Sequence, residues 1–102
     1  MQELVHAVRR WGVEKGLIGP NGKATVSGQI DKLEEEFEEF CCAYHLEEGL
    51  EQVDAIGDMA VVLILMAELI GTPFEDCLAM AYRQIKNRTG RMVDGVFVKD
   101  AK

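Results

Sequence analysis

The chain has 102 residues, enough for one domain with a modest core, and its 48% apolar and 28% charged residues are ordinary globular proportions. Its formal net charge of −7 excludes the basic footprint of a protein that holds a nucleic-acid backbone. Cys41, Cys42 and Cys77 form neither a paired disulfide framework nor a zinc-type spacing, and the longest apolar run falls far short of the roughly 20 residues of a membrane span.

The three cysteines therefore read as reduced thiols in a cytoplasmic protein, with Cys41 and Cys77 in the core. The N-terminal segment lacks the apolar stretch of a signal peptide. A single domain is expected over residues 1–102.

Leu4, Val5, Val8 and Trp11 recur at helical spacing and predict a first helix over residues 2 to about 15. Four glycines and a proline within residues 16–28 mark a loop over about 16–26. Ser27 is the expected N-cap of a second helix over about 28–46, and the segment His-Leu-Glu-Glu-Gly makes a short connection to a third over about 50–70, stopped by Gly71. Thr72, Pro73 and Glu75 form a capping-box pattern that opens a fourth helix, reaching about residue 88 and closed near Gly90. Asp94-Gly95 between short apolar runs predicts a hairpin. The expected architecture is all-α: an antiparallel four-helix bundle with a short C-terminal β-hairpin or extended tail.

The second helix carries Lys-Leu-Glu-Glu-Glu-Phe-Glu-Glu-Phe over residues 32–40. On a helical wheel Ile30, Leu33, Phe37, Phe40, Cys41 and Tyr44 form one stripe, the expected core face. The carboxylates divide into two flanks, one with Glu35, Glu36 and Glu39 beside Gln29 and Lys32, the other with Asp31, Glu34 and Glu38. Either flank is compatible with a solvated charge run, because like charges at helical spacing cost only a few tenths of a kcal/mol per pair.

The third helix is apolar nearly all round, with Val61 to Met66 covering more than a turn, so it is expected to be buried. It nevertheless holds Asp54 and Asp58 one turn apart, with Glu51 a turn earlier. Buried carboxylates pair, protonate or bind metal. Gly57 suggests close helix approach at their level. Two acidic faces joined by a short loop would meet as an all-oxygen cage suited to Mg²⁺ or Mn²⁺. The competing reading is that Asp54 and Asp58 are satisfied by hydrogen bonds to a neighbouring chain. His6 and His45 lack the Glu-x-x-His spacing of a di-iron bundle and read as surface residues. An all-apolar helix in so short a chain also predicts a homodimer or homotetramer built around it.

The run Lys32-Leu33-x-Glu35-Glu36-x-x-Glu39-Phe40, followed by Asp54-Ala-Ile-Gly-Asp58 opening a long apolar helix, resembles the MazG-like nucleotide pyrophosphohydrolases of the all-α NTP pyrophosphatase superfamily. The resemblance spans roughly residues 11–98 and selects the flank of Glu35, Glu36 and Glu39. In its second half the chain departs from the family's E-x-x-D: where the family has its glutamate stands Ala55, with Asp54 one residue earlier. The resemblance implies Mg²⁺ (or Mn²⁺) held by Glu36, Glu39, Asp54 and Asp58, with Glu51 as a substitute for Asp54, and Glu35 as the residue that orients or deprotonates water. It implies hydrolysis of a nucleoside triphosphate to monophosphate and pyrophosphate.

Gln29, Lys32, Lys86, Asn87 and Arg88 are the implied substrate-binding residues, with Arg91 a further cation. Lys86, Arg88 and Arg91 equally suit a helix C-terminus on dipole grounds. Trp11 lies on an apolar stripe, a core position, while its place in the family pattern allows base stacking. The implied partners are the nucleotide and further copies of the chain, with no nucleic acid and no membrane. The alternative to an enzyme is a non-catalytic dimeric helical module that binds nucleotide or protein.

Overall fold

The structure, a computed structural model, describes residues 1–101 and contains four helices followed by a two-stranded antiparallel sheet: α1 (Gln2–Glu14), α2 (Val26–His45), α3 (Gly49–Leu69), α4 (Phe74–Ile85), β1 (Gly90–Val93) and β2 (Val96–Lys99). No helix among the described residues is long and apolar enough to cross a membrane.

Three helices end in the same hydrogen-bonded way. After α1, Leu17 N–H donates to Gly12 O and Gly16, at φ 76°, donates to Val13 O. After α3, Thr72 donates to Ala67 O and Gly71, at φ 86°, donates to Glu68 O. After α2, Glu48 donates to Ala43 O and Glu47 to Tyr44 O, with Glu47 held at φ 57°. These Schellman ends satisfy carbonyls that the helix leaves without partners, and they need a left-handed residue that glycine supplies most cheaply.

Two expected caps are corrected. The N-cap of α2 is Thr25, not Ser27: Thr25 is extended, and its Oγ1 accepts from Gly28 N–H at 2.9 Å. Thr25 sits three residues before that N–H, whereas Ser27 already lies inside the first turn. At α4 the capping box does not form: Pro73 flanks the helix without a side-chain cap, and Glu75 turns to Arg9 instead. An ion pair outweighs a neutral backbone contact for that carboxylate. The fourth helix also stops earlier than residue 88, at Ile85.

The hairpin forms as expected. Asp94 and Gly95 both have positive φ, 51° and 83°, as a two-residue primed turn requires. The register pairs Gly90 with Lys99, Arg91 with Val98, Met92 with Phe97 and Val93 with Val96.

Helix α3 is the centre of the molecule, and α1, α2 and α4 all pack against it. Its Val62, Ile64, Leu65 and Ala67 make a buried core with Val5, Ile18 and Ala43. Gly12 lets α1 approach: a Cβ there would stand 2.7 Å from Leu65 Cδ2 and 3.1 Å from Ile18 Cδ1.

The core is thin for the chain length. The radius of gyration is 16.1 Å, against about 13 Å for a compact chain of this size. The accessible surface is 7913 Å², against about 5,800 Å² for a compact monomer of this mass. Large apolar side chains contribute to the surplus. On α2, Ile30, Phe37 and Tyr44 are exposed, where the wheel reading expects core. On α3, Leu50, Val53, Ile56 and Leu63 are exposed, so this helix is not buried on every side. Gly57 faces open space rather than a close helix. Cys41 and Cys77 are half-buried and Cys42 is exposed. Periodicity identifies an apolar face; it does not say whether the cover comes from the same chain.

Candidate metal centre and adjoining cleft

The short turn between α2 and α3 folds them into an antiparallel pair. Glu36 and Asp58 each lie eleven residues from Glu47 at its tip, so the pairing brings them level. Gln52 Nε2 donates to Ala43 O at 3.3 Å and pins the register nearer the turn. Glu39 follows Glu36 by one turn on the same flank.

Glu36, Glu39 and Asp58 each present a carboxylate oxygen, and the three atoms lie within 4.8 Å of one another. Glu36 is 5% exposed, and its Oε1 has no hydrogen-bond partner. Its other oxygen, Oε2, lies 3.4 Å from Lys32 Nζ, which also approaches Glu35 Oε1 at 3.5 Å. Glu35, then Glu36, hold the Lys32 ammonium above its ordinary pKa. Burial first, and then the charges of Asp54 and Glu36, push the Asp58 carboxyl upward.

An orphaned buried carboxylate oxygen is costly, and the three converging carboxylates could hold a divalent cation. An all-oxygen, half-exposed donor set suits a hard ion that keeps some of its water.

Beside this cluster lies a cleft of about 650 Å³ between the α1–α2 loop, the start of α2 and the middle of α3. Its polar lining includes Lys23, Gln29, Lys32, Glu36 and Asp58, and Trp11 and Val61 stand on its apolar side. Trp11 is 45% exposed, so it is a cleft residue rather than a core one. The space is of the size that small-molecule sites commonly have.

Among the expected site residues, Glu36, Glu39 and Asp58 come together, and Trp11, Gln29 and Lys32 line the adjoining cleft. Glu35 is exposed and engaged with Lys32. Asp54 is exposed one turn before Asp58, close enough to raise its pKa but outside the tight group; Glu51 is exposed as well. Asn87 and Arg88 line a separate depression with Thr89, Lys99 and Asp100, and Lys86 caps α4 without lining the cleft. His6 and His45 are exposed, as expected. Lys23 is the residue sequence reasoning missed: it sits in a loop with no periodicity, and only its segment's fold against α3 carries it to the cleft. Compared with family models, with curated proteins and with solved structures, the chain matches none.

Proposed function

We propose that this protein is a Mg²⁺-dependent nucleoside triphosphate pyrophosphohydrolase of the MazG-like kind, converting a nucleoside triphosphate and water to the monophosphate and pyrophosphate. The observation that carries this reading is buried Glu36, whose unpartnered Oε1 stands with Glu39 and Asp58 beside a cleft lined by Trp11, Lys23 and Lys32. The carboxylate pattern that resembles the MazG-like family, carried by the same residues, is consistent with it.

Glu36, Glu39 and Asp58 would hold the cation, Mg²⁺ or Mn²⁺, with Asp54 at their edge. When bound, the ion supplies positive charge to the phosphate oxygens and acidity to water. Lys32 and Lys23 bind phosphate from the cleft wall, Gln29 offers an amide, and the indole of Trp11 stacks on the base. Glu35 takes a proton from the attacking water. Lys86, Asn87 and Arg88 stand outside this cleft, so they serve the triphosphate only from another copy of the chain.

The four helices then form the antiparallel bundle of the all-α NTP pyrophosphatase type, closed by a second copy. The exposed stripes Ile30-Phe37-Tyr44 and Ile56-Leu63 support a homodimer or homotetramer. The surplus of about 2,000 Å² in accessible surface is within what each chain of an obligate homodimer buries.

The test is incubation with a panel of ribo- and deoxyribonucleoside triphosphates and Mg²⁺, reading pyrophosphate and monophosphate. Release in equal amounts is expected with at least one nucleotide. No release with any would overturn the enzyme and leave a non-catalytic helical module.

A further inference from the structure

We infer that the C-terminal β-hairpin is a docking arm that closes on the acidic α2 of a second copy of this chain. The inference rests on the assembly proposed above and is independent of the hydrolytic activity.

The hairpin is well built and uncovered. Its primed turn is formed, and Thr89 and Asp100 clasp its open end through Thr89 Oγ1 to Asp100 Oδ2 at 2.7 Å and Asp100 N–H to Thr89 O at 3.0 Å. Gly90 leaves room for the Phe97 ring, whose Cζ would lie 2.7 Å from a Cβ at that position. Yet every residue from 91 to 100 is exposed. The register puts Met92 and Phe97 on one face and Val93, Val96 and Val98 on the other, so both faces are apolar. Met92 is 65% exposed and Phe97 48%. A lone two-stranded hairpin is at best marginal in water. Such a surface requires a cover, and this chain's own helices do not supply it.

Charge identifies the cover. Six of the eleven lysines and arginines follow residue 82, and none of Arg83, Lys86, Arg88, Arg91 and Lys99 forms an ion pair among the described residues. Eleven of the eighteen acidic residues fall between Asp31 and Asp58. The basic side chains thus gather where α4 ends and the hairpin begins, with Asp94 at the hairpin turn and Asp100 clasped to Thr89, and the acidic ones gather on α2 and the facing start of α3. On α2 the exposed apolar stripe Ile30-Phe37-Tyr44 is flanked by Asp31, Glu34 and Glu38. An apolar strip with an acidic rim matches an apolar hairpin that carries Arg91 and Lys99 together at its open end. Each copy carries both surfaces, so a two-fold arrangement satisfies both reciprocally and closes the assembly at two copies.

The experiment is sedimentation equilibrium on the full chain with far-UV circular dichroism to confirm helicity. The wild type is expected to be a dimer or larger. Phe97→Asp should raise the dissociation constant about tenfold or more, and Arg91→Glu should weaken assembly, with Glu38→Lys in the same chain restoring it. A benzoylphenylalanine at position 96, irradiated in a mixture of light and ¹⁵N-labelled chains, should yield mixed-label cross-links to residues 26–45; this readout stands even if Phe97→Asp unfolds. A wild type sedimenting near 11.4 kDa would overturn assembly and arm together, and binding of that monomer to anionic vesicles would assign the hairpin to lipid instead. An oligomer indifferent to Phe97→Asp and Arg91→Glu, or cross-links confined to single chains, would overturn the arm and leave the assembly standing.

Discussion

Arg9 on α1 grips Glu75 in the first turn of α4 with both arms of its guanidinium, Nη1 to Oε1 at 2.7 Å and Nη2 to Oε2 at 2.6 Å. Its Nε lies 3.8 Å from Glu68 on α3, and its Nη2 donates to His6 Nδ1 at 2.7 Å. One side chain therefore ties three helices, and it explains why Glu75 abandons its cap. The hydrogen bond from Arg9 is the main cause that pulls the Glu75 carboxyl from its ordinary 4.5 to about 2. A folded-state pKa below the unfolded value contributes stability that is complete above the unfolded value and lost as pH falls through the folded one. Glu75→Gln should lower the melting temperature at pH 5 and above, and the difference from wild type should close between pH 4.5 and about 2. Thermal melts across that range check it; a gap that persists undiminished at the acid end would show that the ion pair is not its source.

Asp58 shows the opposite sign. Its carboxyl is raised above 3.8 by burial and by neighbouring carboxylates, so the fold binds the proton more tightly than the unfolded chain does. Stability from this group is greatest at low pH and declines as pH rises through the raised value. Asp58→Asn should therefore raise the melting temperature of the metal-free protein at pH 7. The same change should abolish stabilisation by Mg²⁺ or Mn²⁺, which for wild type is about 2.7 kcal/mol at a hundredfold excess over Kd. Calorimetry with and without cation reads both effects. A variant less stable than wild type without cation contradicts the repulsion.

The three carboxylates also predict a rank order in turnover. Glu36→Gln, Glu39→Gln and Asp58→Asn each remove a negative donor from the tight group and should lower hydrolysis about 100-fold or more. Asp54→Asn, at its edge, should cost less, and Glu51→Gln least. Chelation with EDTA should abolish activity in the wild type, and Mg²⁺ should restore it. Steady-state rates across the series decide it: equal losses at Glu51 and Glu39 would displace the centre toward the turn.

Glu47 occupies a left-handed position where the other two Schellman ends have glycine. The strain for a residue with a Cβ is about 1 kcal/mol. Glu47→Gly should stabilise the protein by about 0.5–1 kcal/mol, the gain being reduced by the greater freedom of glycine in the unfolded chain. Urea denaturation measures it, with an unchanged slope as the sign that only stability has moved.

Local chemistry was legible in the residues themselves. Helical periodicity, the glycines after α1 and α3, and Asp94-Gly95 all mark elements that form within a few residues of where they were expected, because their causes act over one or two turns. The short loop joining two acidic helical faces already implied that those faces meet. What tertiary structure alone decided is which groups are near each other and which faces lack cover. It chose Glu36 over its neighbours for burial, drew Lys23 and Trp11 to one cleft, and diverted Glu75 from its cap to Arg9, sixty-six residues away. It also left Ile30, Phe37 and Tyr44 in water, since a hydrophobic stripe encodes the need for a partner surface but not whose surface it is.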